Sequence, residues 1–145
     1  MSNDKKTNGN KYSLRDARFY NAWRRMFQFL VTHVFYMIRF KLVYRLEIYG
    51  KENIPSDNNF IVAANHLSTL DPPLVCGVMN RSVAYMAKKE LFETPFMRWW
   101  LDWLGAFAVD REKLGVSTIK TVKNLKETGW VLGIFPQGTR QEAGE

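Results

Sequence analysis

Residues 65–73, NHLSTLDPP, place a histidine ahead of an aspartate, with two prolines directly behind the aspartate. The chain has only two histidines, His33 and His66. A carboxylate bonded to an imidazole orients the ring and stabilises the imidazolium as it forms, which is what a general base needs. On a continuous helix the spacing from His66 to Asp71 would turn the two side chains about 140° apart. Asp71 precedes Pro72, which disfavours helical geometry at Asp71. Asp71 is therefore expected as an N-cap, with Pro72 at the first helical position. Residues 65–70 then form a strand-to-helix loop that can fold His66 back onto the Asp71 carboxylate. Ser68 is close, but a base can equally activate a hydroxyl on the substrate. Alone, this spacing also suits a polar turn with a helix cap.

A second stretch, FPQGTR at residues 135–140, follows the apolar run WVLGI. Gly138 and Thr139 can offer backbone N–H groups there, and Arg140 adds a fork of donors, so the turn suits a phosphate. A turn with a solvated arginine is the plainer alternative. A third, GAFAVDR, puts Arg111 at the end of another apolar run. All three sets of polar groups fall at expected strand ends, where α/β sheets hold their ligands.

The elements that must position them alternate. VYRLEIYGKENIP reads as a strand near 43–49 followed by a turn. FIVAA, SVAYMAKK, AFAV and WVLGIF read as strands, FIVAA as a buried one. Helices are expected after Pro72, after Thr94 as N-cap with Pro95 behind it, and through Val116, Ile119, Val122 and Leu125. Strand alternating with helix after residue 59 predicts an α/β fold, with a mixed, largely buried sheet and helices on both faces.

At 145 residues the chain fits one domain with a real core. One cysteine, Cys76, permits no internal disulfide and fits a reducing compartment. The first 50 residues hold ten Lys and Arg against three acids, which is the whole net charge of +7. They also hold the aromatic run MFQFLVTHVFYMIRF. Basic groups flanking an apolar helical run favour an anionic membrane surface over nucleic acid. The uncharged run, residues 26–38, is short of the roughly 20 residues a spanning helix needs. Trp23, Met26, Phe27, Leu30, Val34, Met37 and Ile38 recur at helical spacing, so an in-plane or shallowly inserted helix is expected, with a helix packed on the domain as the alternative. His33 reads as a polar residue of that helix. The division expected is a polar disordered tail at 1–12, a membrane-associating helical segment at 13–42 and a catalytic domain at 43–145.

NHLSTLDPP resembles the His-x4-Asp motif of the glycerolipid acyltransferases, in its fuller form Asn-His-x-Ser-x-x-Asp-Pro. GAFAVDR is similar to the second motif of that family and FPQGTR to its third, Phe-Pro-Glu-Gly-Thr-Arg. MAKKELF and PFMRWWLDWLGA look like the segment between the first two. The resemblance runs from about residue 44 to 140 and is nearest to the bacterial 1-acylglycerol-3-phosphate acyltransferases. It implies that His66 deprotonates the free hydroxyl of lysophosphatidic acid, that Asp71 orients His66, and that the alkoxide attacks an acyl thioester on coenzyme A or acyl carrier protein. Arg111 and the turn of Gln137, Gly138, Thr139 and Arg140 would hold the acceptor phosphate. It implies no metal and no cofactor beyond that thioester co-substrate, and a place on the cytoplasmic face of the cell membrane, peripheral or monotopic. Glycerol 3-phosphate or another lysolipid is the alternative acceptor, and a membrane-binding module without turnover the alternative function. Gln137 stands where the family has glutamate, which keeps a positioning role and removes a charge. The family continues past its third motif through further strands and a Val-Pro motif. Nothing after Arg140 matches these, so the catalytic domain is expected to be truncated.

Overall fold

The computed structural model describes residues 11–56, 59–112 and 114–138. A long helix, α1 (Ala22–Val43), comes first. Four strands follow, β1 (Ile61–Ala63), β2 (Val83–Lys88), β3 (Phe107–Val109) and β4 (Val131–Ile134). Between them lie α2 (Asp71–Val78), α3 (Pro95–Trp103) and α4 (Val116–Leu125). The sheet order is β1-β4-β2-β3. The three strand pairings are all parallel, so mixed directions do not occur among the described strands. A parallel pair needs a crossover, which α2, α3 and α4 supply. β1 bonds only to β4 among the described strands, with Ile61 opposite Leu132 and Ala63 opposite Ile134.

Strand alternation sorts the core into two layers. Val62, Val83, Tyr85 and Val131 face Cys76 and Met79 at the end of α2. Ala84, Met86, Phe107, Leu132 and Ile134 face Val122 and Leu125 of α4, with Tyr20 and Trp130. Helices thus cover both faces, as the alternating pattern requires. Gly105 ends α3 in a left-handed conformation (φ +77°), and a Cβ there would sit 2.3 Å from the Trp130 ring.

Thr94 takes the N-cap position of α3 and Pro95 its first turn, although the threonine hydroxyl makes no capping bond. The strand expected at 43–49 does not form. Helix α1 runs through Val43, Arg45 adopts a left-handed φ of 51°, and no described strand pairs with the residues that follow. Period-2 alternation makes a strand only where a neighbour takes up its backbone groups. Residues 1–10 of the expected tail lie outside the described residues, but its end belongs to the core. Tyr12 is buried and stacks on Phe92 at 5.5 Å. The buried Thr121 hydroxyl of α4 donates to the Ser13 carbonyl (2.6 Å) and accepts from the Arg15 amide (2.7 Å). Arg15 forms an ion pair with Asp102 of α3, and Arg24 donates to the Asp102 carbonyl. Two of the N-terminal cations therefore fasten the chain to its own domain.

Helix α1 is 22 residues long, longer than its uncharged run, because charged residues continue it at both ends. Among the described helices it is the one long and apolar enough, by length and composition, to cross a membrane. Its buried side carries Gln28, Thr32, Met37 and Phe40. Its outer side carries Trp23 (68% exposed), Met26, Leu30, Val34, Phe35 (63%) and Ile38. The polar Gln28 and Thr32 are thus inside, and much of the apolar stripe faces out. The reason is local. Val83 turns its N–H and C=O toward the side where β3 pairs only from Met86 onward. The Gln28 amide fills that gap, accepting from Val83 N (3.0 Å) and donating to Val83 O (2.8 Å) and Leu104 O (2.8 Å). A side chain here does the work of a neighbouring strand.

Candidate active site

The loop after β1 brings His66 and Asp71 together, with His66 Nδ1 3.0 Å from Asp71 Oδ2. The same oxygen accepts from the amides of Leu67 and Ser68, both at 2.7 Å. Helix α2 starts at Asp71 with Leu70 as its N-cap, one residue earlier than expected. The Asp71 carboxylate therefore turns back onto the loop and closes it, instead of capping the helix ahead. Burial pushes the Asp71 carboxyl up, but the Ser68 amide, the His66 imidazole and the Leu67 amide together hold it below its ordinary value. An ionised carboxylate only accepts, so Nδ1 carries the proton of the His66–Asp71 bond and Nε2 is left as the basic nitrogen. The Ser68 hydroxyl accepts from the Leu70 amide (3.2 Å) and belongs to the turn.

The imidazole rests on a stack of rings. Its centroid is 4.3 Å from that of Phe135, which lies 5.4 Å from that of Tyr85. Gly133 makes this possible, since a Cβ there would come within 2.4 Å of the Tyr85 ring. The Tyr85 hydroxyl donates to the Pro72 carbonyl (3.3 Å), joining the stack to α2. Cys76 lies nearby, but burial pushes its thiol up to about 12, so it stays protonated and is no nucleophile near neutral pH.

His66, Arg111, Gln137 and Gly138 line one cavity of about 680 Å³. Its floor is apolar, with Val31 and Tyr36 from α1 and Met97, Trp100, Leu101 and Leu104 from α3 and its end. Gln137 Nε2 donates to Asn65 Oδ1 (3.1 Å), which ties the third sequence motif to the residue before His66. A neutral amide makes that bond by donating; a carboxylate would need Asn65 turned the other way. Gly138 has φ +70°, and its amide donates to the Phe135 carbonyl (2.9 Å). That N–H closes the turn that follows β4. Thr139 and Arg140 lie outside the described residues.

Sequence reasoning missed three contributors. Lys89 bonds Asp110 at 2.6 Å beside Arg111, and that hydrogen bond holds the lysine ammonium above its ordinary value. The ring stack was hidden because nothing in the sequence pairs Tyr85 with Phe135. The contribution of α1 to the cavity floor was hidden because the helix is remote in sequence.

Asp71→Asn is expected to be less stable than the parent near neutral pH, with the difference closing in acid. The folded carboxyl titrates below its ordinary 3.8. Its contribution is therefore complete above that value and is lost as pH falls through the lower folded one. Urea midpoints of both proteins from about pH 7 down to about pH 2 check this. A gap that stays constant in acid would show that charge is not what matters.

The Acyltransferase family profile matches residues 45–145. A 1-acyl-sn-glycerol-3-phosphate acyltransferase of Bacillus subtilis is 43% identical over 96 residues, covering 66% of this chain and 48% of that protein. The Saccharomyces cerevisiae enzyme of the same name is 30% identical over 122 residues, covering 81% of this chain and 40% of that one. The crystal structure of the 1-acyl-sn-glycerophosphate acyltransferase PlsC of Thermotoga maritima superposes with a TM-score of 0.53 at 22% identity. It covers 89% of this chain and 65% of that one, and it supports the fold. The chain spans less than half the length of these two curated relatives.

Proposed function

Because the chain belongs to the Acyltransferase family, we propose that it moves a fatty acyl group from a thioester to the free hydroxyl of 1-acylglycerol 3-phosphate, giving phosphatidic acid. The observation that carries the reading is the His66–Asp71 pair at 3.0 Å on the wall of a cavity whose floor is apolar. His66 Nε2 takes the proton of the acceptor hydroxyl as its oxygen bonds to the thioester carbonyl carbon. The tetrahedral adduct collapses, the C–S bond breaks, and the imidazolium returns its proton to the departing thiolate, which leaves as the thiol. The ionised Asp71 stabilises that imidazolium. The apolar floor suits an acyl chain. Arg111 and Arg140 hold the acceptor phosphate, and Gln137 positions Asn65. Acyl-CoA or acyl carrier protein supplies the thioester, and the chemistry calls for no metal or further cofactor.

The direct test is purified protein given acyl-CoA or acyl carrier protein thioester with lysophosphatidic acid, glycerol 3-phosphate or other lysolipids. Phosphatidic acid from lysophosphatidic acid alone is the expected product. No transfer to any acceptor would leave a membrane-binding module without turnover. In the active protein, Arg111→Ala is expected to raise the acceptor KM by about tenfold or more, since a charge-assisted bond to phosphate is among the strong ones. The thioester KM should change little. A shift in the thioester KM instead would assign Arg111 to the donor.

We also infer that α1 lies on an anionic membrane surface. Its outward apolar stripe is the support, since monomeric proteins rarely expose contiguous patches of this kind. Binding to anionic vesicles should weaken with salt but persist, because charge attraction is screened and apolar burial is not. Co-sedimentation with anionic and neutral vesicles at low and high salt checks it, and absence of binding to either would sink it.

A further inference from the structure

The strands are parallel, so their amino ends share the sheet edge opposite His66. A second cavity, of about 670 Å³, opens there. Arg25 and His33 line it from α1, and Asn59, Asn80, Arg81 and Thr128 from the segments entering the strands. Gln28, Thr32 and Cys76 line both cavities and form the wall between them.

Among the described residues no carboxylate lines this cavity. The Arg81 guanidinium donates to the Ser56 carbonyl (2.5 Å) and lies over the Phe60 ring. The Arg25 guanidinium lies across Gly129, where a Cβ would come within 2.5 Å of Nη2. The Arg25 guanidinium makes no hydrogen bond or ion pair with the described residues, while the backbone N–H donates to the Asn21 carbonyl (3.1 Å). His33 is fixed by stacking on Phe29 (4.3 Å) and by the contact of Nδ1 with Thr32 Oγ1 (3.0 Å). Two planar cations lining one concave site raise its positive potential, and the guanidinium fork matches phosphate oxygens. Phe29 lines the same cavity and is half exposed, on the helix whose outer stripe is apolar.

We infer that this cavity binds a phosphate group, carried by an anionic lipid headgroup or by a soluble phosphate ester, with Arg25 and Arg81 as its donors. The site is separate from the acyl-transfer cavity and does not depend on the function proposed above.

The two histidines make the test local, because His33 reports this cavity and His66 the other. Full-length protein labelled with 15N at histidine would be titrated at fixed pH and ionic strength with inorganic phosphate. A parallel arm uses nanodiscs of phosphatidylglycerol or of phosphatidylcholine. The expected result is a saturable shift of the His33 resonances that Arg25→Gln weakens by about tenfold or more. Gly129→Ala should act likewise by displacing the guanidinium. Neither variant should alter any response of His66. A shift with inorganic phosphate points to a soluble ester. A shift only with phosphatidylglycerol nanodiscs points to a headgroup. Arg25 is exposed, so Arg25→Gln stands alone if Gly129→Ala fails to fold. A His33 signal that moves in neither arm would overturn the inference. So would an Arg25→Gln protein that titrates like the parent, or an equal shift with phosphatidylcholine.

Discussion

A folded His66→Ala protein is expected to transfer acyl groups about 10²–10⁴-fold more slowly than the parent, the usual contribution of a positioned general base. Among the described residues nothing nearby is placed to take over. Cys76 is held protonated by burial, and the Ser68 hydroxyl is engaged in its turn. The fold should survive, because the Asp71 carboxylate keeps its bonds to the Leu67 and Ser68 amides when the imidazole is gone. Thermal melts taken with the rate measurement separate lost chemistry from lost structure. A folded variant with near-parent turnover would remove His66 from the mechanism.

Gln28→Leu should produce the largest loss of stability. By sequence the change looks favourable, since it extends an apolar helical run. In the structure Gln28 is 3% exposed and satisfies Val83 N–H, Val83 C=O and Leu104 C=O. Each buried backbone group left without a partner costs about 1–3 kcal/mol, so a loss of at least about 3 kcal/mol is expected. That is a large fraction of the roughly 5–15 kcal/mol that holds a domain folded. Urea unfolding of parent and variant measures it. Equal midpoints would mean that the backbone groups find other partners and that the helix does not complete the sheet edge.

The chemistry-bearing residues were legible where a short stretch carries its own constraint. His66 and Asp71 sit in one loop, and the loop alone can join them. The α/β class was legible from strand and helix runs bounded by Pro95, Gly105 and Gly129. What could not be read depended on partners distant in sequence. The alternation at 43–49 promised a strand, yet among the described residues no neighbour takes its hydrogen bonds. Tyr12 looked like tail, and only Phe92 makes it core. Gln28 looked like an interruption in an apolar face, and only the gap beside Val83 explains it. The Gly138 amide looked free for a ligand, and only the closed turn shows where it bonds.

The position of β1 in the sheet also bears on the order in which the site can be built. During synthesis the segment carrying His66 leaves the ribosome early, but among the described strands the one ahead of it pairs only with β4, about seventy residues later in the chain. Such non-local pairing has to meet the entropy of closing a long loop before its contacts reward it. β2 and β3 can pair first, leaving β1 and its loop without a strand partner until β4 emerges and slots between β1 and β2. The arrival of β4 thus seats β1 and brings Phe135 under the imidazole in the same step. A chain stalled before β4 would hold every residue of the first motif and no assembled site.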